Sequence, residues 1–245
     1  MPALMRALAR LRAPPPRADE VQVWRVALDR PLAAPTELAA VLAPDERARA
    51  DRFCRDEDRA RFVVARALLR LILGLHMGAD PASLAFRTGP HGKPALAGPA
   101  GGTLRFNVAH AGGLALCALA PGREVGVDLE PVRPVDDADA LLRRLAAPAE
   151  AAAYAALPPA ARRSAFFRWW TRKEAFLKAT GEGLSRPLTS FEVSLRPDEP
   201  ARLIRVAGDP AETARWRLRA LAPAPGYVGA LAAEGYDWRP RVLDA

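Results

Sequence analysis

In the run Val125-Gly126-Val127-Asp128-Leu129-Glu130, two carboxylates occupy alternate positions of an otherwise apolar segment. Read as a strand, the run turns Val127 and Leu129 to one face and Asp128 and Glu130 to the other. Carboxylates that close do not both ionise cheaply unless a cation or a ring of donors lies between them. A divalent metal is the simplest such cation. Gly126 permits close backbone approach, which argues against the ordinary alternative of an exposed edge-strand face. A second stretch, 169–178, reads as one helix stopped by Gly181 and Gly183. Trp170, Glu174 and Lys178 recur along one face of it, adding a third carboxylate and a cation. Alone, Glu174 and Lys178 would be a surface pair worth about 0.2–0.5 kcal/mol.

Other residues gain meaning only in combination. Lys93 stands in the turn-rich stretch 88–94, His110 in the small-residue loop 109–113, and Arg59, Arg61, Arg66 and Arg70 along one helix. Taken singly, these are a solvated loop lysine, a turn histidine and a solvated helix face. Taken with the carboxylates they suit a polyphosphate. Mg²⁺ binds through one or two carboxylates plus substrate phosphates, and basic side chains with a histidine grip the remaining oxygens.

The elements that position these residues follow from periodicity. A strand is expected over 20–28, helices over 36–41, from Pro44 and over 56–75, and strands over 84–87, 103–108 and 114–119. Pro121-Gly122 then turns the chain into the carboxylate strand. Helices over 137–145, 148–157 and 159–181 precede strand candidates at 189–195, 203–206, 216–221 and 227–231. The fold class is α+β, in two similar halves, 19–122 and 123–235, with the carboxylates near the join. Residues 1–18 read as a disordered leader and 236–245 as a tail.

The 245 residues, 50% of them hydrophobic, suffice to bury a core without staples. Two cysteines, Cys54 and Cys117, argue against a disulfide framework or a cysteine metal site and make the cytoplasm the default compartment. No apolar segment approaches the ~18–20 residues of a membrane span. The net charge of +8 favours an anionic partner: a phosphorylated cofactor, an acidic protein, nucleic acid or an anionic surface.

The ordered set Gly92-Lys93-Pro94, Phe106-Asn107-Val108-Ala109-His110, Gly126 to Glu130 and Trp170 to Lys178 resembles the 4′-phosphopantetheinyl transferase superfamily, and more closely its long, monomeric surfactin-synthetase-activating type. The resemblance spans about residues 20–230. It implies a pseudo-twofold pair of α+β halves with the active site in the cleft between them. The implied reaction moves 4′-phosphopantetheine from coenzyme A to a serine of an acidic apo carrier protein, the holo-acyl-carrier-protein synthase reaction, releasing adenosine 3′,5′-bisphosphate. By resemblance Asp128, Glu130 and Glu174 hold Mg²⁺ or Mn²⁺, Glu174 and Lys178 are catalytic, and Arg49, Arg61, Lys93, His110, Asp128, Lys173 and Lys178 bind coenzyme A. Two departures stand out. Ala109 replaces the family's serine before the histidine, removing a hydroxyl from the phosphate site. Glu46 stands where some relatives carry a basic residue for the nucleotide 3′-phosphate. Two other classes compete: a nucleic-acid-binding module on the arginines of 59–70, which lacks stacking aromatics, and a metal-dependent phosphohydrolase on the same carboxylates.

Overall fold

The computed structural model describes residues 9–11, 13–98 and 103–245. Strand β1 (Glu20–Ala27) alternates as its sequence demands, sending Val21 and Val23 to one face and Trp24 and Val26 to the other. Short helices α1 (Pro35–Leu38) and α2 (Pro44–Ala50) each open on a proline, which needs no amide partner there. Helix α3 (Asp56–Met77) has Asp56, Glu57 and Asp58 at its positive end and stops at Gly78, whose φ of 60° is left-handed. A small hairpin, β2 (Phe86–Thr88) and β3 (Pro94–Leu96), precedes the long hairpin β4 (Leu104–Ala111) and β5 (Leu114–Pro121). The carboxylate strand is β6 (Val125–Pro131). Helices α4 (Ala138–Leu145), α5 (Pro148–Ala155) and α6 (Pro159–Thr180) follow. The last stretch comprises β7 (Phe191–Val193), β8 (Leu203–Val206), α7 (Pro210–Arg215), β9 (Trp216–Leu221), β10 (Tyr227–Glu234) and β11 (Arg239–Asp244).

Two main sheets form, ordered β11-β1-β5-β4 and β6-β10-β9. One face of the first sheet packs on α3 and its neighbours through Trp24, Val26, Phe106, Cys117 and Leu119. Its other face, through Val21, Val23, Leu116 and Ala118, meets Val127 and Leu129 of β6 and Leu231 of β10. The second sheet's outer face, carrying Ala230, Ala232 and Leu218, packs on α6. The layers therefore run helix, sheet, sheet, helix, an α+β architecture. Across the join the Val127 amide donates to the Asn107 side-chain oxygen at 2.9 Å, a side-chain bond doing what a backbone ladder would do elsewhere.

The ends of the chain differ from expectation. Of the stretch read as a disordered leader, residues 1–8 and 12 lie outside the described residues. Leu11, however, is fully buried in the first core, and Pro14 accepts from the Gln22 side chain at 2.8 Å. The stretch read as a tail buries Trp238 and supplies β11, which pairs parallel with β1, Val242 opposite Val23. Exposed charges outside a short apolar run hid that strand. It is an edge strand, exposed at every residue but Leu243, so no apolar alternation marks it.

Helix α3 is not a free cationic face. Arg59 pairs with Asp51, Arg61 with Asp29 at 2.7 Å and with Glu57, Arg66 with Glu46, and buried Arg70 with Glu46 at 2.6 Å. Glu46 also closes the start of α2 by accepting from the Ala43 amide at 2.9 Å. Burial pushes its carboxyl up, but Arg70, the Ala43 amide and Arg66 together outweigh burial and hold its pKa below the ordinary value. Since the folded pKa is depressed, its stabilisation is present above the ordinary glutamate pKa of about 4.3 and is lost as pH falls through the lower folded value. Glu46→Ala should therefore cost about 3–5 kcal/mol, the usual cost of stripping a buried cation of its partner. Chemical denaturation at neutral pH checks this, with a flatter acid limb than the parent's as its companion result. An unchanged midpoint would refute it.

Candidate active site

The site begins with a close approach. A Cβ on Gly126 would collide with the Ala175 carbonyl and the Ala179 amide and lie 2.8 Å from the Lys178 carbonyl carbon, so β6 rests directly on the backbone of α6. Gly126, Asp128 and Glu130 share the face of β6 turned to that helix, because Val125, Val127 and Leu129 fill the core behind. Glu174 and Lys178, one helical turn apart, are thereby set against Asp128 and Glu130. The Lys178 ammonium donates to Asp128 Oδ1 at 2.6 Å. The other oxygen of this buried carboxylate, Oδ2, has no hydrogen-bond partner among the described residues.

Charge crowding shows in all three acids. Burial pushes the Asp128 carboxyl up, and Lys178 offsets part of that rise. Burial and then the Asp128 charge raise Glu130. Glu174 is raised first by burial, against the pull of Lys178, and further by Asp128 and Glu130. Beside them, His110 on β4 is held below the ordinary imidazole value by desolvation and by the charges of Lys178 and Arg49. The carboxylates and Lys178 thus form one cluster, with the His110 imidazole and the Arg49 cation near it. His110 and Arg49 line a cleft of about 550 Å³ with Leu28, Phe53, Arg61 and Phe62.

Among the described residues, no three His, Cys, Asp or Glu side chains are gathered closely enough to hold a metal ion by themselves. Magnesium does not require three, since phosphate oxygens complete its shell. The hard oxygens of Asp128 and Glu130, one of them buried and unpartnered, fit such an ion.

The remaining expected residues divide. Arg49 lies over Phe62 at 5.2 Å, with no carboxylate partner among the described residues. Arg61 lines the same cleft but is engaged by Asp29 and Glu57. Lys93 is elsewhere: its ammonium meets Glu124 and the Ala179 carbonyl, lining a separate depression beside Thr180 and Gly181. Lys173 is a correction. It has no accessible surface, and its ammonium is held by Glu150 at 2.8 Å and the carbonyls of Leu188 and Phe191, inside the second core. One residue before Glu174, it is rotated by 100° about the helix, away from β6. The two departures are explained as well. Ala109 points into the apolar join while His110 points out, so the missing hydroxyl would not have faced the cleft from that side chain. Glu46 is buried under α3 as the partner of Arg66 and Arg70.

Sequence reasoning missed Asn107, Asp29 and the role of Glu124. A signal for the lysines was present. The chain has only three, Lys93, Lys173 and Lys178, in a composition that uses arginine everywhere else. All three make short contacts to a carboxylate, and two of them also to carbonyls.

Comparison with known proteins agrees with this geometry. The profile of the 4′-phosphopantetheinyl transferase superfamily matches residues 124–232, and that of the 4′-phosphopantetheinyl transferase N-terminal region matches residues 28–122. The chain belongs to the 4′-phosphopantetheinyl transferase superfamily. It is 42% identical to the 4′-phosphopantetheinyl transferase HetI of a Nostoc species, over 91% of this chain and 92% of that one. A 4′-phosphopantetheinyl transferase of Bacillus subtilis is 33% identical over 73% of this chain and 78% of its own. The Sfp transferase of the same species is more distant, at 28% over the same shares. Within the superfamily, then, the surfactin-synthetase-activating type is a distant relative of this chain.

Because the acids' pKa values are raised in the fold, the folded state holds protons more tightly than the unfolded one. Their effect on stability is most favourable at low pH and is lost as pH rises through the folded pKa values. Glu130→Gln should therefore raise the Tm of the protein measured without divalent cations at neutral pH, by about 2–4 °C for about 1 kcal/mol in a chain of this size. Added Mg²⁺ should raise the Tm of the parent more than that of the variant. Scanning calorimetry with and without Mg²⁺ checks both, and a variant less stable than the parent would contradict the crowding of charge.

Proposed function

We propose that this protein transfers 4′-phosphopantetheine from coenzyme A to a serine hydroxyl of an apo carrier protein, a holo-acyl-carrier-protein synthase reaction that releases adenosine 3′,5′-bisphosphate. The observation that carries this reading is the gathering of the carboxylates Asp128, Glu130 and Glu174 with the Lys178 ammonium, beside the His110 imidazole and the Arg49 cation that line the adjoining cleft. A polyphosphate ester needs both. Mg²⁺, or Mn²⁺, held by Asp128, Glu130 and Glu174 would neutralise the pyrophosphate and polarise its phosphorus.

The chain's own residues supply the rest. Arg49 and His110 bind phosphate oxygens and orient the nucleotide in the cleft, with Arg61 at its rim. Glu174, its carboxyl raised by burial and by neighbouring acids, accepts the serine proton as general base. The serine oxygen then bonds to the phosphorus that carries pantetheine, and the bond from that phosphorus to the bridging oxygen breaks. Lys178 donates to the oxygen on which charge develops.

The wider reading has support of its own. Each half sets a helix of 22 residues outside a sheet, in keeping with a pseudo-twofold pair, 19–122 and 123–235, around an interfacial site. The net charge of +8 suits an acidic carrier docking to a monomer. Cys54 and Cys117 are free thiols, in keeping with the cytoplasm. Among the described residues no helix is long and apolar enough to cross a membrane.

The decisive assay is incubation with coenzyme A, Mg²⁺ and a panel of apo carrier proteins, followed by intact mass. A phosphopantetheine increment on a carrier is expected; hydrolysis of coenzyme A without transfer would overturn the proposal. Glu174→Gln keeps size and a ligating oxygen but lacks basicity. It should bind coenzyme A and lose about 10²–10⁴-fold in turnover. Lys178→Ala should weaken binding and turnover together, because a phosphate contact acts in ground and transition states alike. Normal turnover of Glu174→Gln at saturation would move the base elsewhere.

A further inference from the structure

Lys93 has no part in the chemistry above, yet its placement is specific. It leads into β3 in the N-terminal half, and its side chain crosses to the C-terminal half. There the ammonium donates at 2.7 Å to the Ala179 carbonyl and at 2.7 Å to Glu124 Oε2. The Ala179 carbonyl is among the last four of α6, which have no partner within the helix, and it sits at the negative end of the helix dipole. The stem of Lys93 covers Gly181, where even a Cβ would come 3.3 Å from its Cδ. Glu124 is itself pinned: Oε1 pairs with Arg105 of β4 at 3.1 Å, and its amide donates to Glu234 of β10 at 2.9 Å. One ammonium therefore ties the β2–β3 hairpin, the start of β6 and the end of α6 together. Gly126, two residues beyond Glu124, touches the same end of the helix at Ala175, Lys178 and Ala179. Lys178 lies inside the stretch so gripped, with Glu174 at its near edge.

We propose that Lys93 is a positioning residue: by fastening the last turn of α6 to Glu124 it sets Glu174 and Lys178 against Asp128 and Glu130, and it makes no contact with coenzyme A. The inference rests on the transfer reading above. In a site where small misplacement of a reacting group costs up to about 10²-fold, a fastening contact can govern rate without touching substrate.

The test separates grip from contact. Lys93→Met keeps the length and apolar stem but loses the donors. Expected are a coenzyme A Kd within about twofold of the parent's, a kcat at saturating coenzyme A lower by about tenfold or more, and faster amide exchange over residues 174–181 by mass spectrometry. Glu124→Ala should reproduce all three, and the double variant should be little worse than either single one, as for two residues acting through one contact. Lys93→Arg, which keeps a cation within reach of both acceptors, should recover part of the rate. A raised Kd with kcat preserved would make Lys93 a substrate contact and overturn the proposal, as would unchanged exchange and rate. If Lys93→Met fails to fold, Glu124→Ala carries the same readouts. If the parent transfers nothing, the transfer reading fails, while the exchange measurement still judges the grip by itself.

Discussion

Everything at the site depends on one contact without side chains, the backbone of β6 lying on the backbone of α6 at Gly126. Were the strand held off by a side chain, Asp128 would not reach Lys178, and Glu174 would face solvent in place of two other acids. The same contact creates the electrostatic problem of the site. It buries carboxylates beside one another, and burial is the first cause of the raised pKa of each. One ammonium compensates Asp128, and the remaining deficit of positive charge is what a cation bound with a phosphate ester would fill.

Charge elsewhere is spent differently. The arginines of α3 are matched to Asp51, Asp29, Glu57 and Glu46, so the helix that looks most cationic in the sequence offers little free charge. The exposed pairs among these are worth about 0–1 kcal/mol each. The Glu46 to Arg70 pair is buried, and there the loss of either partner would be severe. What stays available in the cleft is Arg49, resting on the ring of Phe62, with His110 in the same lining. A net charge of +8 therefore says less about this cleft than the identity of the few cations without carboxylate partners.

Much of the architecture was legible from periodicity. The long helices α3 and α6 and the strands β1, β4, β5 and β6 fall where alternation and helical spacing put them, within a few residues. The shared face of Asp128 and Glu130, and the role of Gly126 as a point of close approach, follow from the same rules. What was not legible is long-range. Nothing local tells Lys173, bound to Glu150 in the core, from Glu174 beside it, since both are polar residues on one helix. Lys93 in a glycine-proline turn reads as solvated until the end of α6, some 86 residues on, is placed against it. Ala109 looks like a lost phosphate contact until strand alternation turns it inward. Glu46 looks like a lost phosphate site until Arg66 and Arg70 are seen on either side of it.

The parallel pairing of β1 with β11 bears on how the molecule comes to exist. Arg25 and Asp244, which meet across that ladder at 2.6 Å, are 219 residues apart in the chain. During synthesis the outer edge of β1 therefore stays unpaired while nearly the whole of the second half is made. An open edge is a hazard for strand exchange with a neighbouring chain, and contacts of such long range are slow to form. Domain-by-domain folding on the ribosome, the ordinary route for a chain of two halves, thus leaves the first sheet with three of its four strands until β11 is made. The fourth strand of the N-terminal sheet lies beyond the strands of the second half, so completing the first sheet waits on the synthesis of the other.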